Sequence, residues 1–167
     1  NQTALELDRI DIPGGGGTEF SKMDRKAQSA RNPIVKNIYK LLFKIARNKR
    51  HIDLSADTNI GPDYIWARLF ITINPKAELG KNVNIHKGVT IGEEHRGKRA
   101  GYPVIGDNVW IGINATIVGN VKVGNDVLIA SNSFVNCDIP DHSVVFGNPC
   151  IVKHRENATE SYINRTI

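Results

Sequence analysis

Residues 105–135 read IGDNVWIGINATIVGNVKVGNDVLIASNSFV. Ile105, Ile111, Ile117, Val123, Ile129 and Val135 recur at a spacing of six, and Val109, Ala115, Val121, Val127 and Ser133 run two residues ahead of the later members. Gly106, Gly112, Gly124 and Ala130 each follow a member of the main series directly. A helix repeats every 3.6 residues and a half-buried strand every 2, so neither sustains this rhythm. A hexapeptide period is the mark of a parallel β-helix, in which each unit gives one short strand and one turn and three units close a coil of about 18 residues. The spacing therefore predicts that Ile111 stacks on Ile129 and Ile117 on Val135. A small residue after each corner relieves crowding, glycine most of all. Asn108, Asn120, Asn125 and Asp126 are suitable turn residues.

The frame extends backwards through Leu79-Gly80, Ile85-His86 and Ile91-Gly92, and with short insertions to Ile60-Gly61, Ile65, Ile71 and Ile73. Three regions follow: an arm and helix over 1–50, a solenoid over 51–155 and a tail over 156–167. The arm contains Gly14–Gly17, and Asn32-Pro33 reads as the cap and first turn of a helix. Ile34, Ile38, Leu41, Leu42 and Ile45 form an apolar stripe on that helix, accompanied by Lys36, Lys40, Lys44, Arg47, Lys49 and Arg50. Such a helix suits packing on the first coil or on a neighbour, and it also permits contact with an anionic membrane surface. A net charge of +5 without a base-stacking array of aromatics argues against nucleic acid as partner. No apolar run approaches membrane-spanning length, and a cytoplasmic protein, at most peripheral to the inner face of the membrane, is the expectation. Cys137 and Cys150 can pair in principle, but two cysteines in 167 residues do not define a disulfide framework, and no zinc motif is present.

The longest lapse in the repeat lies between Gly92 and Ile105, where residues 93–103 read EEHRGKRAGYP. Its charge and glycines predict a loop projecting from the rigid coils, where solenoids place specific function. His95 on this loop, and His86 at a corner where a small residue is usual, can take up a proton near neutral pH, as activation of a hydroxyl requires. Asp53, Glu93 and Glu94 are candidates to orient that base or to hold an acceptor. Arg96, Lys98 and Arg99 suit an anionic group. No metal is expected.

The stretches Ile73-Asn74-Pro75, Gly88-Val89-Thr90-Ile91-Gly92, residues 105–112 and Val145-Phe146-Gly147-Asn148-Pro149-Cys150 resemble the hexapeptide acyltransferases, the serine acetyltransferase-like and polysaccharide O-acetyltransferase group in particular. The resemblance spans residues 52–155. It implies a left-handed β-helix, a homotrimer, and acetyl-CoA extended between neighbouring solenoids as acyl donor. Carried onto this sequence, it places Gly112, Ala130 and Ser131 along the thioester and pantetheine path. Asn148, Pro149 and Lys153 fall near the distal end of the cofactor. Trp66, Tyr102 and Trp110 join Glu93, Glu94 and Arg96 near the acceptor. Two departures stand out: Ala67 and Tyr102 occupy the positions of histidines found in serine acetyltransferases.

These departures direct the expectation towards acetyl transfer onto a sugar hydroxyl of a surface polysaccharide or its precursor. His95 or His86 is the base, with Asp53 the match to the family's early acidic residue. A backbone N–H near Gly112 or Ala130 would stabilise the oxyanion. Serine O-acetylation and a catalytically inactive β-helical scaffold are the alternatives.

Overall fold

In the computed structural model the described residues are 26, 29–49, 51–55, 58–60, 65–66 and 70–163, with 65 and 66 described by backbone alone. The glycine-bearing arm and Ala67 lie outside them. The repeat folds as predicted, into a left-handed parallel β-helix with three faces. The first face stacks β1 (Ile52–Asp53), β4 (Ile71–Ile73), β7 (Thr90–Gly92), β10 (Thr116–Val118) and β13 (Phe134–Val135). The second stacks β2 (Asn59–Ile60), β5 (Glu78–Leu79), β8 (Val104–Ile105) and β11 (Lys122–Val123). The third stacks β3 (Ile65–Trp66), β6 (Asn84–Ile85), β9 (Val109–Ile111), β12 (Val127–Ile129) and β14 (Ser143–Phe146), with β15 (Ile151–His154) antiparallel at its edge.

The stacking has the expected register. Ile85, Ile111, Ile129 and Val145 form one inward column and Ile91, Ile117 and Val135 another, all fully buried. Each such side chain contributes about 1.5–3 kcal/mol on removal from water, so a repeated isoleucine supplies both the core and the register. Close approach at the corners explains the small residues between columns: a Cβ on Gly106 would stand 2.7 Å from Asn125 Oδ1 and 2.8 Å from the Gly124 carbonyl oxygen.

Asn108 and Asp126 turn the chain with left-handed backbone angles, φ 55° and 53°, and Asn114 and Asn132 do the same. Asn120 and Asn125 also lie in bends between strands, as expected, but without left-handed angles. Asn125 instead accepts the Asp107 N–H at 2.8 Å, while its own N–H donates to Asp141 Oδ1 at 2.7 Å. Side chains from later coils thus satisfy the corner amides of earlier ones.

Asn32 caps α1 (Pro33–Lys49), its Oδ1 accepting the Ile34 N–H at 2.9 Å. Within one chain the apolar stripe stays largely open, and the opposite side of the helix meets the coils. Ile34, Ile38 and Leu41 are 69%, 52% and 58% exposed, whereas Phe43 is buried with the solenoid core and Ala46 packs partly against it. At 100° per residue Phe43 lies opposite the centre of the isoleucine stripe, and the Arg47 guanidinium beside it donates to the Leu54 carbonyl. One aromatic and one capped carbonyl orient the helix. No helix among the described residues is long and apolar enough to cross a membrane.

Candidate active site

The corner that joins the third face to the first carries most of the chemistry. The β3–β6 register pairs Trp66 with Ile85, and His86 follows Ile85 directly at this corner. The β6–β9 and β9–β12 registers bring Gly112 and then Ala130 onto successive rungs beside it. The His86 N–H donates to the Ile111 carbonyl at 3.0 Å, fixing the backbone beneath the ring. Its imidazole lies 4.6 Å from the Trp110 ring, tilted by 52°. Trp110 also abuts Gly112 and Ser131: a Cβ at Gly112 would approach Trp110 Cζ3 to 2.9 Å and Ser131 Oγ to 2.9 Å.

His86 Nε2 is buried without a hydrogen-bond partner. Burial disfavours the imidazolium and holds the His86 pKa below its ordinary value of 6.5. The ring is therefore predominantly neutral at physiological pH, the state a general base requires. An unsatisfied buried nitrogen costs about 1–3 kcal/mol, which a substrate hydroxyl at Nε2 would relieve.

The structure thus brings together His86, Trp110, Gly112, Ala130 and Ser131, while Asn148 and Pro149 lie in the turn that joins β14 to β15. Lys153 is exposed on β15, its Nζ 5.8 Å from the Phe146 ring. The amides of Gly112 and Ala130 themselves are engaged in the coils. The Gly112 N–H is taken by the Ile129 carbonyl and the Ala130 N–H by the Val145 carbonyl, each at 2.8 Å, because both belong to the rungs that hold the coils together.

The other candidates gather elsewhere. The loop 93–103 is pinned by reciprocal backbone hydrogen bonds between Glu94 and Gly101 and contains a 3₁₀ turn at Gly97–Arg99. Arg99 ties it to the solenoid by donating to the Asn136 carbonyl. His95 is 77% exposed, with Nδ1 3.3 Å from Glu93 Oε1, and Asn74 Nδ2 donates to Glu93 Oε2 at 3.4 Å. Glu94 Oε1 accepts the Arg96 N–H at 3.1 Å. Tyr102 accepts a 2.6 Å hydrogen bond from Lys76 Nζ. Within one chain β7 separates this loop from the His86 corner. Asp53 is exposed on β1, paired with Thr72, beside Arg47, Asn48 and His51. The backbone of Trp66 lies in β3, and its side chain is outside the described residues. Among the described residues no group of three or more His, Cys, Asp or Glu is placed to hold a metal ion.

A contact without a signal in the repeat covers Trp110. Asp126 accepts the N–H groups of Ala158 and Thr159 at 2.9 Å each, the Thr159 hydroxyl at 2.7 Å, and a hydrogen bond from His142 Nδ1 at 2.9 Å. Ala158 and Thr159 are buried, and the segment beyond them sets the Tyr162 ring 5.1 Å from Trp110, edge-on. Burial acts to raise the Asp126 pKa, but the hydrogen bonds from Thr159, His142 and Ala158 outweigh it and hold it below its ordinary 3.8. The hydrogen bond to Asp126 raises His142 above 6.5 against some burial, helped by the charges of Glu156, Asp126 and Asp141.

The two shifts set a window. The His142 contribution is complete below pH 6.5 and is lost as pH rises through its raised folded value. The Asp126 contribution is complete above pH 3.8 and is lost as pH falls through its lowered folded value. In a Trp66→Phe, His86→Gln background, which removes the other indole and the titrating ring beside Trp110, Trp110 emission is expected to hold steady between these limits and to change outside them. Asp126→Asn should remove that dependence and give the released spectrum throughout. Identical spectra for both proteins at every pH would refute the clasp.

Comparison with known proteins places this geometry. Residues 102–137 match the family described as bacterial transferase hexapeptide (six repeats). The chain is 36% identical over 111 residues to serine acetyltransferase of Staphylococcus aureus strain COL, covering 65% of this chain and 51% of that protein. It is 42% identical over 81 residues to serine acetyltransferase 4 of Arabidopsis thaliana, covering 47% and 22% respectively. The soybean serine acetyltransferase apoenzyme superposes with a TM-score of 0.68 at 27% identity, over 81% of this chain and 57% of that one. The enzyme from Brucella abortus strain S19 gives 0.73 at 23% identity, over 92% and 69%, a likeness of fold. The chain spans about half the length of the Staphylococcus relative.

The class defined is a hexapeptide-repeat β-helix. Over its repeat domain the chain is similar to serine acetyltransferases. The expected sugar acceptor is overturned, because the relatives matched are serine acetyltransferases and not sugar or polysaccharide acetyltransferases. That expectation rested on two positions, Ala67 and Tyr102, and similarity over 111 residues outweighs them.

Proposed function

We propose that this chain transfers an acetyl group from acetyl-CoA to the hydroxyl of serine, with His86 as general base. The observation that carries the reading is the buried, unpartnered His86 Nε2 at the foot of the column formed by Gly112 and Ala130. The serine hydroxyl gives its proton to Nε2 as its oxygen attacks the thioester carbonyl. The carbon–sulfur bond then breaks, and the departing thiolate takes the proton back from the imidazolium, so no acyl-enzyme forms. With the Gly112 and Ala130 N–H groups engaged, the Ser131 hydroxyl is assigned to the developing oxyanion. The small side chains of Gly112 and Ala130 leave a flat path for an extended pantetheine, with Asn148, Pro149 and Lys153 beyond it.

The loop 93–103 completes the site from a neighbouring copy in a homo-oligomer of trimeric order. Its separation from His86 within one chain supports this arrangement. Glu93, Glu94, His95, Arg96 and Tyr102 then face the acceptor, while Trp110 walls the base. Asp53 and Trp66 take part at the first coils.

The test is release of free thiol from acetyl-CoA by the full chain, with L-serine, L-threonine and glycine as matched acceptors and the acetylated product identified by mass. Serine-stimulated release with an O-acetylserine product is expected. Binding of acetyl-CoA without acceptor-stimulated release would overturn the reading in favour of a β-helical scaffold, for which the residues at 67 and 102 supply the motive.

A further inference from the structure

We propose that Cys137 and Cys150 are a reversible thiol–disulfide pair that locks the closing turn of the solenoid to its last full coil. The sequence places them thirteen residues apart on different segments, and the structure brings Sγ to within 3.6 Å of Sγ. Both side chains are half-buried and pack against the hydrophobic core, so neither sulfur ranges freely through solvent.

The segments that carry them are already joined. The Phe134 N–H at the start of β13 donates to the Gly147 carbonyl at 3.0 Å, and Cys137 and Cys150 each lie three residues beyond that rung. A disulfide needs about 2.05 Å between sulfurs, so the pair must close by about 1.5 Å, a distance within reach of side-chain rotation. Arg99, which donates to the Asn136 carbonyl, places a cation near Cys137. Burial, with the neighbouring Cys150 thiol, nevertheless holds the Cys137 pKa above its ordinary value. Exchange is therefore slow at neutral pH and quickens as pH rises.

The co-reactant is a low-molecular-weight disulfide. One cysteine thiolate attacks it, forming a mixed disulfide and releasing one small thiolate. The second cysteine thiolate attacks the protein-side sulfur, forming the Cys137–Cys150 bond and releasing the other. Two electrons pass to the small disulfide, and the two cysteine protons end on the two small thiols. The bond uses neither His86 nor an acyl donor, so it stands apart from the catalytic proposal.

The experiment titrates the full chain with glutathione disulfide at neutral and mildly alkaline pH. It follows intact mass, non-reducing peptide maps and thermal unfolding. Expected are the loss of two hydrogens, one peptide linking Cys137 to Cys150 within a single chain, faster closure at the higher pH, and reversal by dithiothreitol. The oxidised chain should melt higher by about 5 °C or more, as closing a loop of this length implies. Cys137→Ser and Cys150→Ser should each abolish the loss of hydrogens. A persistent glutathione adduct, a disulfide between chains, or no oxidation at the higher pH would overturn the proposal. If a serine variant does not fold, the peptide map of the unsubstituted chain decides by itself.

Discussion

Glutamine in place of His86 is expected to lower serine-dependent acetyl transfer by about 10²–10⁴-fold, the usual contribution of a positioned general base. Glutamine keeps a polar side chain at the corner but cannot accept and return the proton. The loss should fall on kcat, with acetyl-CoA binding retained, since the Gly112–Ala130 path does not depend on the imidazole. The pH profile supplies a second readout. Because burial places the His86 pKa below 6.5, the unsubstituted chain should lose activity only below that pH. His95→Gln should reduce the rate far less, since His95 is assigned to face the acceptor and not to take its proton. The reverse ranking, with His95→Gln abolishing transfer and His86→Gln sparing it, would move the base to the projecting loop.

The largest effect on stability is expected at Ile111. Its side chain is fully buried between Ile85 and Ile129 in the middle of the solenoid. Rungs above and below hold the backbone, so the space left by Ile111→Ala cannot collapse readily, and a cost of about 2–5 kcal/mol follows. For a chain of this size that is a fall in melting temperature of roughly 5–15 °C. Ile113 provides the control: two residues along the same corner it is 46% exposed, and Ile113→Ala should stay within about 0.5 kcal/mol. Equal shifts for the two variants would show that the repeat does not carry the core.

The part of the fold that repeats was legible because one inward side chain per six residues leaves a periodic trace, and Ile111 over Ile129 or Ile117 over Val135 follows by counting. The site was legible in pieces. His86, Gly112, Ala130 and Ser131 could be placed on one corner from the same count, and Trp110 from the motif around it. The choice between His86 and His95 could not, since it depends on burial and on a loop whose path the period does not govern. The contact of α1 with the coils was not legible for a related reason: the single Phe43, outside the five-residue apolar stripe, is the side chain that meets the core. Asp126 read as a turn residue and does turn the chain. Its hold on Thr159 spans 33 residues between a repeat and a non-repeating tail, and such a pairing leaves no local pattern.

The antiparallel strand β15 has a consequence for how copies meet. A stack of parallel coils ends in a row of unpaired peptide groups that could receive another coil, its own or a foreign one, without limit. By turning back along β14 through four paired positions, the chain occupies that row itself on the third face. The parallel frame of the coils therefore stops at β14 on the face that leads to the His86 corner, and a further coil laid on β15 would meet a strand of opposite direction.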